Sequence, residues 1–238
     1  ITAPLKTRIG DLFRIVASKN NTEFTINNSK IIKLTEGQYF DTTLLTASYI
    51  KSNNPISVAQ FSKSNSVDIN ERDMFSAFFN KADPFMIMIS PIEQTIDSIV
   101  FNSFESKVIS DYYLNLIIKT TDTSGVYLDG KRLTNFELVK DNPSYSTWVG
   151  SDIFILDKGN HILNSKAGFI AYVYGYGQWE SYGYVAGATL RNLDMTFEIS
   201  NAKDTTQYNN YRVPLCVGDY LTFIVDKSAN ISKYLWYF

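Results

Sequence analysis

Apolar and polar residues alternate in short runs along the first part of the chain, and turn-forming residues separate these runs. The alternating runs lie at residues 12–17, 24–26, 31–34, 44–50 and 56–61. A period of two places successive side chains on opposite faces of an extended backbone, as in a β-strand with one buried face. Pairs of Asn and the run Ser52-Asn53-Asn54-Pro55 lie between the strands and indicate turns. The pattern predicts a meander of antiparallel strands.

Residues 68–81 depart from this pattern. Met74, Phe75, Phe78 and Phe79 recur at helical spacing, which predicts a short helix or an ordered loop. The β pattern then resumes. Further strands are predicted at residues 85–89, as a buried type, and at 96–104, 112–119 and 168–176.

Two hairpins are predicted within this second β region. Asp129-Gly130 supplies the positive φ angles of a type I′ turn between residues 126–128 and 131–133. Residues 157–160 form the second turn, between 153–156 and 161–163. Since no helix of real length is indicated, the fold class predicted is all-β, built of antiparallel β-sandwiches.

A domain boundary is predicted near Asn209, because residues 190–206 are more polar and a fresh β pattern follows from residue 213. One domain then covers residues 1–208, as one or two β lobes, and the next begins at 209. The chain starts at Ile1 and ends in the aromatic run 234–238. We therefore expect a piece of a longer protein, without its signal peptide.

The composition and the charge of the chain restrict the classes of partner and site that can be expected. Hydrophobic residues make up 45% and charged residues 19%, and the net charge is −2 with acids and bases interspersed, so a nucleic-acid partner is not expected. The single cysteine, Cys216, cannot form an intrachain disulfide and is predicted to be a small core residue. No apolar run reaches the roughly 18 residues of a membrane span.

Candidate catalytic groups are few. The chain has one histidine, His161, with no activated nucleophile beside it, and a structural role is favoured. Asp68, Glu71 and Asp73 could offer oxygen ligands to a calcium ion, but their spacing matches no calcium loop and a solvated loop is favoured. We predict no catalytic residue, no metal and no cofactor.

The segment 171–187 is unusually rich in tyrosine and glycine. In a strand, Tyr172, Tyr174 and Tyr176 share one face and could stack on sugar rings or anchor a protein. The candidate ligand-binding residues are Tyr172, Tyr174, Tyr176, Trp179, Tyr182 and Tyr184. The alternative is that the tyrosines fill the core and that the glycines mark bulges or close packing in a bent strand. We favour the structural interpretation.

Several of these stretches, in this order, resemble a known family. The stretches are 10–17 with 20–22, 55–62, 83–94, 126–130 and 168–187. They resemble the N-terminal domain of IgGFc-binding protein, in the form found in large secreted proteins of gliding Bacteroidota-type bacteria. The resemblance covers roughly residues 9–190.

A second resemblance begins near Pro214. Residues 215–219, 221–223 and 234–238 look like the opening of a polycystic-kidney-disease-type repeat, an immunoglobulin-like sandwich. The repeat usually has Asp where this chain has Tyr237. The resemblance implies a second sandwich that begins at residue 209 and is incomplete here.

These resemblances imply extracellular display, a role in adhesion or gliding, export by a type 9 system and no catalytic residues. The partners implied are other domains of the same chain or other surface proteins, with glycans as a further class. An immunoglobulin ligand is not carried over, since no contact motif is defined. Three alternatives stay open: an adhesive module, a carbohydrate-binding module that uses the tyrosine-rich strand, and a glycoside hydrolase.

Overall fold

Antiparallel sheets build the part of the chain that the structure describes. The computed structural model describes residues 1–6, 10–63, 83–150 and 158–187, and the backbone of two later strands. The chain divides into two units, Ile1–Thr189 and Leu190–Phe238. The all-β prediction is confirmed: within the described residues, the one helical segment is the short 3₁₀ helix Thr120–Gly125.

Two small sheets form the first part of the first unit. Their strands are β1 (Asp11–Ala17), β2 (Thr22–Ile26), β3 (Ile32–Leu34), β4 (Tyr39–Leu44), β5 (Ile50–Ser52), β6 (Ile56–Phe61) and β7 (Met86–Met88). One sheet has the order β4-β1-β6-β7 and the other the order β3-β2-β5. Phe13 and Ile15 of β1 are buried against Phe24 of β2 and Val58 of β6.

The predicted meander is wrong in its connections. β1 pairs with β4 and β6, and β2 pairs with β3 and β5, so that the chain crosses from one sheet to the other several times. The physical reason is burial, because the chain brings the apolar face of β1 against that of β2 instead of laying the strands side by side. The predicted strand at 44–50 is also wrong, since β4 ends at Leu44, Ser48 makes an isolated bridge to Thr2, and Ile50 begins β5.

The buried strand predicted at residues 85–89 is an edge strand. β7 pairs with β6. Ile87 is buried, whereas the side chains of Met86 and Met88 are about half exposed. Only one face of this strand is covered, and continuous hydrophobicity alone does not reveal that.

A large sheet forms the rest of the first unit. Its strands are β8 (Ile96–Ser103), β9 (Ile109–Lys119), β10 (Val126–Leu128), β11 (Lys131–Arg132), β12 (Glu137–Leu138), β13 (Tyr145–Val149), β14 (Gly159–Gly177) and β15 (Glu180–Gly187). The 19-residue strand β14 is its centre. The first half of β14 pairs with β8 and β10, and the second half pairs with β9 and β15.

The register along β14 shifts between Asn164 and Phe169, as at a β-bulge, a feature that bends a strand. The strands that pair with the first half of β14 and those that pair with its second half contribute to one apolar cluster, which includes Phe101 of β8 and Leu116 of β9. The opposite face of β9 and β14 contributes to a second cluster with Ile87 and with Ile1, Ala3 and Leu5 of the N-terminal segment. The central strands are therefore covered on both faces.

The hairpin at Asp129-Gly130 is confirmed. Asp129 has φ 51° and Gly130 has φ 76°, as a type I′ turn requires, and β10 pairs with β11 across it. The helix or loop predicted at 68–81, with its acidic cluster, and Cys216 lie outside the described residues. Residues 153–156, the first strand of the second predicted hairpin, also lie outside the described residues.

In the second unit, β16 (Phe197–Asn201) and β17 (Leu221–Val225) pair antiparallel, and Asn201 is opposite Leu221. These strands lie before and after Asn209, and the boundary near that residue stays a prediction. Among the described residues, no helix is long and apolar enough to cross a membrane.

Candidate functional site

The three tyrosines that alternate along β14 lie in the core. Tyr172, Tyr174 and Tyr176 are 2%, 0% and 1% exposed, and they share one face, as the period of two predicts. The ring of Tyr174 stacks on Tyr113 of β9 with centroids 5.3 Å apart, and the ring of Tyr176 lies 6.0 Å from that of Phe85. None of the three presents a ring face to solvent.

The hydroxyl of Tyr174 fixes the N-terminal segment, residues 1–6. It donates to Oδ1 of Asn115 at 3.0 Å and accepts from the backbone N–H of Lys6 at 2.8 Å. Burial raises the pKa of Tyr174 well above its ordinary value, so the phenol stays protonated and can donate. Nδ2 of Asn115 donates in turn to the carbonyl of Pro4 at 2.7 Å. A core tyrosine of β14 thus fixes the position of the N-terminal segment, which is far away in the sequence.

Two buried polar residues hold the same segment from the small sheet. Oδ2 of Asp11 accepts from the N–H of Leu5 and from Nε2 of Gln60, each at 2.8 Å, and Nε2 of Gln60 also reaches the carbonyl of Ala3 at 2.9 Å. Sequence reasoning missed these residues and Asn115. The available signal was a polar residue within or at the start of an otherwise apolar strand, where burial demands a hydrogen-bond partner.

Trp179 lies at the other extreme of exposure. It sits in the two-residue turn between Gly177 and Glu180, which pair across β14 and β15. Its side chain is 60% exposed and its φ is 58°, in the left-handed region. A bulky side chain rarely adopts that backbone conformation, and an exposed indole gains little from packing. Neither burial nor turn preference explains a tryptophan at this position.

The turn is fixed to the loop between β8 and β9. The N–H of Gln178 donates to the carbonyl of Val108 at 3.1 Å. At the start of the loop, the N–H of Phe104 donates to the hydroxyl of Tyr182 at 3.2 Å, and the two rings meet edge to face with centroids 6.1 Å apart. We call the surface formed by Phe104, Val108, Trp179 and Tyr182 the turn patch. Phe104 is 60% exposed and Val108 is 44% exposed.

Tyr182 and Tyr184 have structural partners of their own. Their rings stack with centroids 6.2 Å apart and both pack against the core inside the bent sheet. The hydroxyl of Tyr184 donates to the carbonyl of Asn102 at 2.6 Å. Burial raises the pKa of both phenols, so both stay protonated.

The six predicted site residues therefore do not form one surface. The three tyrosines of β14 are internal, Tyr182 and Tyr184 are half-buried, and Trp179 is exposed. Phe104 and Val108 of the turn patch were not predicted. They come from another strand connection, and no local pattern links them to Trp179. Ligand binding by the predicted set stays a prediction.

The glycines of the segment are close-packing positions, as predicted. A Cβ on Gly175 would lie 2.6 Å from Cε1 of Tyr182 and 3.0 Å from the carbonyl oxygen of Asp111. A Cβ on Gly183 would overlap the ring of Phe85. The register of β14 and β15 also shifts between Ala171 and Tyr172.

His161 is buried and ties a turn to the sheet. Its Nδ1 lies 2.7 Å from Oδ2 of Asp129, whose Oδ1 accepts from the N–H of Ile162 at 2.8 Å. This geometry gives His161 a structural contact. Within the described ranges, no group of three or more His, Cys, Asp or Glu side chains could hold a metal ion.

The fold defines an antiparallel β-sandwich module with an exposed tryptophan in the turn between β14 and β15. The chain belongs to the family of the IgGFc binding protein, whose family model matches residues 1–175. That family is of a non-enzymatic, binding type and is typically extracellular. No curated protein and no solved structure matches the chain. The family prediction is confirmed over the matched residues, whereas the Bacteroidota-type origin and the repeat after residue 209 stay predictions.

Proposed function

We propose that the chain is a non-catalytic structural and adhesive module of a large protein on the cell surface. The observation that carries this proposal is the family match over residues 1–175, because that family consists of binding modules. The turn patch supports it, since three exposed apolar side chains, one on the turn and two on the loop hydrogen-bonded to it, are typical of a contact surface.

The architecture suits a module that keeps an exposed contact surface in a fixed shape while force acts on it. Both faces of β9 and β14 are covered, and the N-terminal segment is held by hydrogen bonds from both the small and the large sheet. Such a core resists local opening, so the contact surface keeps its shape. The proposed partners are other surface proteins and further domains of the same long chain, with glycans as a further class.

The finer part of the proposal concerns origin and architecture. We propose export by a type 9 system in a Bacteroidota-type bacterium, a role in surface adhesion or gliding, and an immunoglobulin-like repeat that begins at residue 209. The resemblances of residues 168–187 and 215–219 support this part of the proposal.

Two measurements test the proposed function. Antibodies against the chain should label intact cells of the source organism, and labelling only after lysis would contradict surface display. Beads coated with the chain should resist detachment from those cells under flow better than albumin-coated beads. Equal detachment of the two bead types would contradict an adhesive role.

A further inference from the structure

We infer that the turn patch is a carbohydrate-binding site in which the indole of Trp179 stacks on a neutral pyranose ring. This inference rests on the proposed binding function and names the ligand class and the residue that contacts it. It moves the binding surface from the face of β14, where the tyrosines are buried, to the turn that follows it.

The conformation of Trp179 is the first reason. The residue is exposed and has φ 58°, so it gives the fold neither burial nor a relaxed turn. Asn or Gly would satisfy the same backbone with less strain. Strained residues that contribute nothing to the core are characteristic of sites where a side chain is needed for contact.

The second reason is that the platform is held in place before any ligand arrives. A Cβ on Gly177 would overlap the backbone of Val108, so the turn lies directly against the β8–β9 loop. The hydrogen bond from Gln178 to Val108 and the ring contact of Phe104 with Tyr182 fix the two ends of that loop. A prepositioned ring loses little entropy on binding, as weak sugar contacts require.

The chemistry around the ring favours a sugar over a protein. The C–H groups of a pyranose pack on an aromatic face, while its hydroxyls need amide and carboxylate partners. Gln178 and Glu180 flank Trp179 in the chain and are exposed. Apolar and polar side chains are thus interleaved, whereas a protein contact is centred on a continuous dry area.

The charges decide between neutral and charged sugars. Glu105, next to Phe104 in the chain, forms an ion pair with Lys158 at 2.6 Å, and Lys107 and Glu180 are exposed residues of opposite charge. Two further acids lie close by, Asp83 beside Ser181 and Asp111 opposite Tyr176, so the surface offers no excess of positive charge to a uronate or a sulfated glycan. A neutral hexose or N-acetylhexosamine is the ligand class that fits.

Isothermal titration of the full chain with defined sugars tests the inference. The probes are the hexasaccharides of cellulose, starch, mannan and chitin, with hexagalacturonate as the charged comparison. We expect at least one neutral hexasaccharide to bind saturably and more tightly than hexagalacturonate. W179A should weaken that binding at least about tenfold, W179F should retain most of it, and Y127A, which removes an exposed tyrosine elsewhere on the large sheet, should leave it unchanged.

A further variant separates a ligand-contacting tryptophan from a structural one. W179N keeps the left-handed turn, so we expect an unchanged or higher melting temperature together with loss of binding. No neutral sugar binding up to about 10 mM, or equal binding by W179A, would overturn the inference. Bead adhesion that persists while sugars neither bind nor compete would overturn it and leave the proposed function intact. Sugar binding without bead adhesion would support the inference and contradict the adhesive role.

Discussion

At the scale of single residues, Gly175 shows how closely β14 is packed against its neighbours. A Cβ there would lie 2.6 Å from the Tyr182 ring and 3.0 Å from the carbonyl oxygen of Asp111, and the backbone atom cannot move aside cheaply. We expect G175A to lower the free energy of unfolding by about 1–3 kcal/mol, measured by urea denaturation. The matched control is G125A, whose new Cβ has no contact closer than 3.7 Å. A loss as large in the control would contradict the steric explanation.

The pair of Asp129 and His161 predicts a dependence of stability on pH. Burial alone would raise the pKa of Asp129, but the hydrogen bonds from His161 and the Ile162 N–H, with the charges of His161 and Lys131, outweigh it and lower the pKa overall. A carboxyl whose pKa is lower in the folded state stabilises the fold above its unfolded pKa of about 3.8, and this contribution disappears as the pH falls through the folded value.

The matched variant is D129N, because Asn tolerates the positive φ of this turn. We expect it to be less stable than the parent chain at pH 7 by about 0.5–1.5 kcal/mol, since the bond to His161 loses its charged acceptor. The difference in urea unfolding should shrink at pH 3. A difference that is constant between pH 7 and pH 3 would contradict the assignment.

Which aromatic residues are buried could be predicted only in part. The period of two correctly placed Tyr172, Tyr174 and Tyr176 on one face. It could not tell that the N-terminal segment and Phe85 cover that face, because those contacts join residues far apart in sequence. Trp179 is exposed, unlike the tyrosines of β14, because it lies in the turn between β14 and β15. The spacing of the glycines did not predict where this turn lies.

At the scale of elements, the N-terminal segment depends on side-chain hydrogen bonds more than on strand pairing. Among the described residues, its one ladder contact is the bridge between Thr2 and Ser48. Tyr174, Asn115 and Asp11 supply most of the other hydrogen bonds to its backbone. Removing one of these groups leaves a buried N–H or amide without its partner, which costs more than an exposed hydrogen bond contributes.

We therefore expect Y174F to lower the free energy of unfolding by about 1–3 kcal/mol, because the ring remains while both bonds of the hydroxyl are lost. Hydrogen exchange at the Lys6 amide should accelerate more than at Ile99, which lies in β8. The comparison variant is Y184F, in which a half-buried hydroxyl loses its hydrogen bond to the carbonyl of Asn102. We expect it to lower the free energy of unfolding by less than about 1 kcal/mol. Unchanged protection of Lys6 in Y174F would contradict the anchoring role.

The elements were predictable where local chemistry decides them. The hairpin at Asp129-Gly130 follows from two residues that accept positive φ, and most strand positions follow from alternation. The order of strands in the small sheets was not predictable, because pairing of β1 with β4 and β6 depends on which apolar faces meet. Long-range burial, rather than propensity, selects these partners.

At the scale of the whole molecule, the family match and the structural unit end at different residues. The match stops at Gly175, inside β14, whereas β15 (Glu180–Gly187) pairs with the second half of that strand. Tyr182, Tyr184 and Ala186 of β15 also cover the apolar cluster inside the bent sheet. The cluster is therefore incomplete without residues that the match leaves out.

This difference yields a prediction about where the chain can be cut. A chain ending at Thr189 retains all three apolar clusters and should unfold cooperatively, as followed by circular dichroism. A chain ending at Gly175 leaves β14 without its β15 partner and exposes the cluster, a loss on the order of the 5 kcal/mol that holds a typical domain folded. We expect it to be unfolded or aggregated.

A third chain, ending at residue 208, serves as the control for the predicted boundary near Asn209. If residues 190–208 belong to the first domain, this chain should melt at a higher temperature than the chain ending at Thr189, because added packing stabilises the folded state. Equal melting temperatures would instead favour the division at Thr189. Cooperative unfolding of the chain ending at Gly175, at the temperature of the longer chains, would show that β15 is dispensable and that the cluster inside the bent sheet does not hold the unit together.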